Sequence, residues 1–99
     1  MTLLQTDFEL LEKKSELLKT LGHPIRLAIV ELLSAKKKLT VTELYSTLEI
    51  DQPVASHHLR IMKRGGILLS SKDGKNTYYA ISDTSIKKIF KLLVSQDYI

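Results

Sequence analysis

The most constraining stretch of this chain runs from Thr40 to Ile81, where closely spaced start and stop signals leave room only for short elements. Thr40 followed by Glu43 forms a capping box, which satisfies two orphan backbone donors and opens a helix with Val41, Leu44 and Leu48 facing inward. Glu49, Ile50 and Asp51 then leave space for no more than a tight turn. Asp51 is placed to cap the next helix, with Pro53 in its first turn, where a missing N–H is harmless. That helix runs to Arg64 and stops at Gly65-Gly66. Ile67–Lys72 and Lys75–Ile81 read as two strands joined at Asp73-Gly74, a strong hairpin signal, and Thr77, Tyr78 and Tyr79 favour the extended backbone.

The flanks are helical. Asp7 is a plausible N-cap for a helix to Leu21, whose apolar residues Phe8, Leu10, Leu11, Leu17, Leu18 and Leu21 spread over a wide face before Gly22. Pro24 opens a second helix with Ile25, Ile29, Leu32 and Leu33 buried, and the Lys36–Lys38 run ends it at the favourable end of the helix dipole. Ser82 or Asp83 caps a last helix with Ile86, Ile89, Phe90 and Leu93 at helical spacing. The order α-α-α-α-β-β-α predicts a mainly α (α+β) winged helix-turn-helix in one domain, residues 1–99. The helix-turn-helix spans about 41–64, the wing about 67–81, and the outer helices about 7–21 and 83–96. Leu10, Leu17, Leu92 and Val94 have no evident duty inside a lone subunit, which points to pairing of the outer helices.

Charge is concentrated in the same region. The net charge is +4, and residues 51–82 contribute five basic and two acidic side chains. On a helical wheel, Gln52, Pro53, Ser56, His57, Arg60, Lys63 and Arg64 fall within an arc of about 140° that holds no carboxylate. Ile61, Val54, His58, Met62, Ala55 and Leu59 take the opposite side. An isolated solvated helix usually mixes Glu with Lys, so an acid-free face behind a helix-turn and ahead of a hairpin suits double-stranded DNA better than water. Gln52, Ser56, His57 and Arg60 are candidates for base edges. Thr40, Pro53, Lys63, Arg64, Lys72, Lys75 and Thr77 are candidates for the phosphate backbone, although lysines at a hairpin tip also serve solubility.

The segments LGHPIRLAIVELL, LTVTELYSTLEIDQPVASHHLRIMKRGGIL and SSKDGKNTYYAIS together resemble the ArsR-type winged helix-turn-helix repressors of bacteria and archaea, over roughly residues 17–82. The resemblance implies a homodimer built by the first and last helices, here with Phe8, Leu11, Leu18, Phe90 and Leu93 at the interface. It implies one recognition helix per subunit in successive major grooves. By position it carries base contact to Gln52, Ser56 and His57, whereas His58 falls on the apolar arc and reads as a satisfied structural histidine. Pro53 stands where a small polar residue is more usual, removing one possible contact and stiffening the turn. Many members bind soft metals through a Cys-x-Cys at the start of the third helix; Thr40 and Thr42 stand there, and hydroxyls are poor ligands for such ions. Others use His and carboxylates along the last helix, yet Asp83 to Tyr98 contains no histidine. No metal site and no cofactor are expected.

Zero cysteines exclude disulfides, thiolate sites and thiol redox switching. No stretch approaches the roughly 18 apolar residues of a membrane span. The N-terminal MTLLQTDFELLEKKSE carries acid early and no basic lead into an apolar run, so a signal peptide is not expected and the chain reads as cytoplasmic. No phosphate loop, activated nucleophile or framed carboxylate pair suggests an enzyme. The expectation is a sequence-specific, homodimeric transcriptional regulator, a repressor acting on an inverted repeat. Two rivals stay open: an architectural DNA binder without an effector, and a winged-helix protein-interaction module. Nothing in the sequence identifies a small-molecule effector.

Overall fold

The computed structural model describes residues 3–95; residue 96 at the end of the last expected helix lies outside them. The elements are α1 (Phe8–Leu21), α2 (Pro24–Ala35), β1 (Leu39–Thr40), α3 (Val41–Leu48), α4 (Gln52–Arg64), β2 (Leu68–Asp73), β3 (Asn76–Ile81) and α5 (Thr84–Ser95). This is the winged helix-turn-helix order with one addition. The two-residue β1 pairs antiparallel with β3, Leu39 opposite Tyr79 and Thr40 opposite Tyr78, and makes a three-stranded sheet in the order β1-β3-β2.

The local signals act much as their chemistry requires. Asp7 accepts from the Glu9 N–H at the start of α1. The Thr40–Glu43 box is complete, with Glu43 N donating to Thr40 Oγ1 at 3.1 Å and Thr40 N donating to Glu43 Oε1 at 2.9 Å. Those bonds hold the Glu43 carboxyl below the usual carboxylate range. At the end of α4, Gly66 takes φ +79 and the N–H groups of Gly66 and Ile67 donate to the carbonyls of Lys63 and Met62. This is a full Schellman closure, sealed by contact between buried Met62 and Ile67. The helix-turn-helix turn closes the same way, with Glu49 in the left-handed region (φ 54) and Ile50 N donating to Tyr45 O.

Two expectations are corrected, at Asp51 and at the hairpin loop, one cap is new and one open alternative is resolved. Asp51 stands at the N-cap of α4 but its side chain makes no capping bond; Pro53 removes the N2 donor, and the N–H of Val54 at N3 is not used either. His23, unassigned from sequence, caps α2 by accepting from Ile25 N at Nδ1, 3.1 Å. The hairpin loop is Gly74-Lys75 rather than Asp73-Gly74: Asp73 pairs with Asn76, and Gly74 alone takes positive φ (+64), the pattern of a type II′ turn. Of the two candidate caps of α5, Asp83 accepts from Ser85 N, which lowers its pKa, while Ser82 ties the wing to α4 through Gly66 O.

The core lies where α2, α3, α4, β2 and α5 converge, around Ile29, Val30, Leu33, Leu44, Leu59, Met62, Ile67, Leu68 and Ile86. Ile25, Leu32, Val41 and Leu48 are only partly buried against it. Leu17 also packs there, which removes it from the residues lacking an internal duty; Leu10, Leu92 and Val94 do remain exposed. The C-terminal end of α1, anchored by buried Leu21, also approaches α4 closely, since a Cβ on Gly65 would lie 2.8 Å from Thr20 Cγ2. A Gly65→Ala substitution should therefore cost about 1–3 kcal/mol in urea unfolding, as overpacking does. Adding Thr20→Ala, which deletes the clashing atoms, should recover most of that stability; no recovery would put the strain elsewhere.

Candidate nucleic-acid interface

The N-terminal ends of α3 and α4 and the tip of the wing surround an open cleft of about 470 Å³ lined by Thr40, Val41, Thr42, Tyr45, Gln52, Ser56, Lys75, Asn76 and Thr77. Five of the residues singled out from sequence (Thr40, Gln52, Ser56, Lys75, Thr77) thus meet in one place. His57, Arg60, Lys63, Arg64, Pro53 and Lys72 do not line it; all six are exposed, the first five along α4 and Lys72 on β2. Thr42, Tyr45 and Asn76 were not assigned to the interface, although Thr42 and Tyr45 share one face of α3 by their i,i+3 spacing. β1 explains the gathering: its pairing with β3 brings the α3 N-terminus, 36 positions from Asn76 in sequence, against the wing.

Gln52 Nε2 donates to Ser56 Oγ at 3.1 Å, one helical turn away. The bond uses one amide hydrogen; an amide keeps a second hydrogen and its oxygen, the donor–acceptor pair needed to meet an adenine edge. Thr40 Oγ1 already accepts from Glu43 N, so at the cleft it retains its hydroxyl donor and one acceptor lone pair. Lys19–Glu16 on α1 is the one ion pair among the described residues, so no carboxylate neutralises Arg60, Lys63, Arg64, Lys72 or Lys75 there.

The buried side of α4 is anchored by Ala55, His58, Leu59 and Met62, with Val54 the exception at 40% exposed. His58 is 5% exposed and accepts at Nδ1 from Arg26 Nε, 3.2 Å, while Arg26 Nη1 donates to Thr20 O. The His23 ring lies 4.4 Å from that of His58, and His57 meets it edge-on at 5.4 Å. All three histidines therefore stand together, a proximity the sequence did not reveal. Two of the Nδ1 atoms are engaged as acceptors, and no group of three or more potential metal ligands occurs among the described residues.

Residues 21–70 match the family model described as a helix-turn-helix domain. The transcriptional repressor PagR of Bacillus anthracis is 42% identical over 84% of this chain and 83% of its own length. Its crystal structure superposes with a TM-score of 0.80 over 88% of this chain and 99% of that one, at 40% identity. An uncharacterized HTH-type transcriptional regulator of Methanocaldococcus jannaschii is 39% identical over 83% of this chain and 92% of its own. This chain belongs to the ArsR-type winged helix-turn-helix regulators. Like them it is a DNA-binding transcriptional regulator and not an enzyme. In fold alone, this ArsR-type chain also matches a Mycobacterium bovis winged helix-turn-helix domain described as homodimeric. That match has TM-score 0.81 and 24% identity, over 96% of this chain and 87% of the other. No helix among the described residues is long and apolar enough to cross a membrane.

Burial of the His58 ring, then the neighbouring His23, Arg26 and His57, hold its pKa below the ordinary histidine value of 6.5. Unfolded, this residue takes up a proton as pH falls through that value, whereas the folded site refuses it until lower pH. Its contribution is present above the unfolded pKa and is lost on acidification. The melting temperature should decline from about pH 7.5 to 5.5, and His58→Gln, whose amide oxygen can still accept from Arg26, should flatten that decline. An equal decline in the variant would assign the effect to other groups; Glu43 and Asp83 act only at lower pH.

Proposed function

We propose that this regulator acts as a cytoplasmic homodimeric repressor that reads an inverted repeat with paired α4 helices in successive major grooves and occludes a promoter. The observation that carries the reading is the acid-free outer face of α4, whose first turn opens into a cleft shared with the wing. Gln52, held by Ser56, reads a base edge, with His57 and Arg60 following along the groove. Thr40, Pro53, Lys63, Arg64, Lys72, Lys75 and Thr77 face the backbone.

Dimerisation is supported by apolar side chains that one subunit leaves uncovered. Phe8 is 64% and Leu92 61% exposed, and Leu10, Leu11, Leu18, Leu93 and Val94 join them on α1 and α5. Phe90 differs, since it is half-buried against the subunit's own core and meets a partner only with its remaining edge. The homodimeric neighbour and the repressor PagR support the same reading.

Selection from a randomised duplex pool at about 150 mM salt, where pure phosphate attraction is weakened, should recover an inverted repeat with half-sites about one helical turn apart. Gln52→Ala should relax the preference at one position of each half-site, and Arg60→Ala should weaken binding by about 1–3 kcal/mol. Recovery of no motif, with binding that collapses as salt rises, would favour an architectural binder. No binding at low salt would leave the protein-interaction module. Leu92→Glu should convert the dimer to a folded monomer in sedimentation, because Leu92 contributes little to the subunit's own core; a persistent dimer would move the interface off α5.

A further inference from the structure

The Lys36–Lys38 run belongs to none of the surfaces assigned above, and its members are not equivalent. Lys36 is the C-cap of α2 and acts on the nearby Glu43 carboxylate. Lys38 instead holds its Nζ 4.6 Å from the centre of the Tyr78 ring, with no carboxylate in ion-pair reach among the described residues. Tyr78 sits in the middle of the wing sheet, opposite Thr40 of β1 and Ser71 of β2. Side chains alternate along a strand, so Tyr78 faces away from Thr77, which lines the cleft. Lys72, opposite Thr77, and Lys75 in the loop carry the wing's charge toward the cleft side and tip. Lys38 supplies charge on the reverse side.

We propose that Lys38, steadied by the Tyr78 ring, is a phosphate-binding residue that extends the DNA footprint to the reverse face of the wing; this rests on the DNA-binding reading above. A lysine ammonium over an aromatic face keeps its hydration on the outward side and its stem partly ordered, so less freedom is surrendered when a phosphate arrives. Thr40, opposite Tyr78 and two residues from Lys38, shares that side of the sheet. As the N-cap of α3 it stands at the cleft rim, so the Lys38 side adjoins the cleft at the β1 edge. A ribbon gripping a sugar-phosphate backbone gains from cations on both faces rather than on one. The competing role is local, since β1 is an edge strand and a lysine beside it discourages edge-to-edge pairing.

The test uses the full chain and a fluorescent duplex of arbitrary sequence, titrated from about 50 to 200 mM salt. Lys38→Gln should weaken binding to any duplex alike and lower the log–log salt slope by about 0.9 for each phosphate it ceases to neutralise, twice that if both subunits of a dimer use the residue. Lys13→Gln removes the same charge from α1 and should leave the slope unchanged. Tyr78→Leu should weaken binding with the slope kept, and Tyr78→Phe, which retains the ring, should match the parent. Parent-like slope and affinity in Lys38→Gln, with or without new self-association, would overturn the proposal, as would an equally large effect of Lys13→Gln. A Tyr78→Phe defect as large as that of Tyr78→Leu would overturn the role of the ring. If the unsubstituted protein binds no duplex, the DNA-binding reading itself fails, a result distinct from all of these.

Discussion

Everything in this molecule depends on one helix being held firmly by half its circumference. Ala55, His58, Leu59 and Met62 sink one side of α4 into the core, and the Schellman closure at Gly65-Gly66 fixes where the helix ends and β2 begins. Burial of Leu59 and Met62 contributes about 1.5–3 kcal/mol each by removal of apolar surface from water. The opposite side is then free to carry uncompensated positive charge, which a loosely packed helix of this composition could not sustain. Arg26 reinforces the arrangement by joining the last turn of α1 to His58, so three helices share one polar contact beneath the proposed DNA-binding face.

What was legible in the sequence is what local chemistry decides. The Asp7 cap, the Thr40–Glu43 box, the glycine stop after Arg64 and the hairpin each need only neighbours within a few residues, and all are present. The α4 wheel sorted its buried and exposed sides well, because amphipathicity records the core directly; Val54 is exposed and Ile61 only partly buried on the side of the wheel expected to be inward. The Asp51 expectation failed locally too: Pro53 leaves only the N3 donor of Val54 for a cap, and the Asp51 side chain does not take it.

What was not legible depends on partners distant in sequence. β1 is two residues long and has no periodicity to read; it exists because Tyr78 and Tyr79 arrive beside it. The same pairing brings Thr42, Tyr45 and Asn76 into the cleft with Gln52 and Ser56. The histidine cluster is a further case, since nothing in the positions of His23 and His58 announces that their rings meet, tilted at 48°. Leu17 shows the converse: a residue that looked surplus on the wheel has work against its own core.

Thr40 belongs at once to the strand ladder and to the cap of α3, so the wing has no hinge where it joins the reading head. Bending the wing toward a misplaced backbone would break either a ladder pairing or the capping box. In the proposed complex the protein is therefore the stiff partner and the duplex must do the yielding. Base pairs between the half-sites, though touched by no side chain, would then enter the affinity through how readily they twist and narrow. A wing so tied would, in that proposed complex, make the mechanical softness of the operator part of its address.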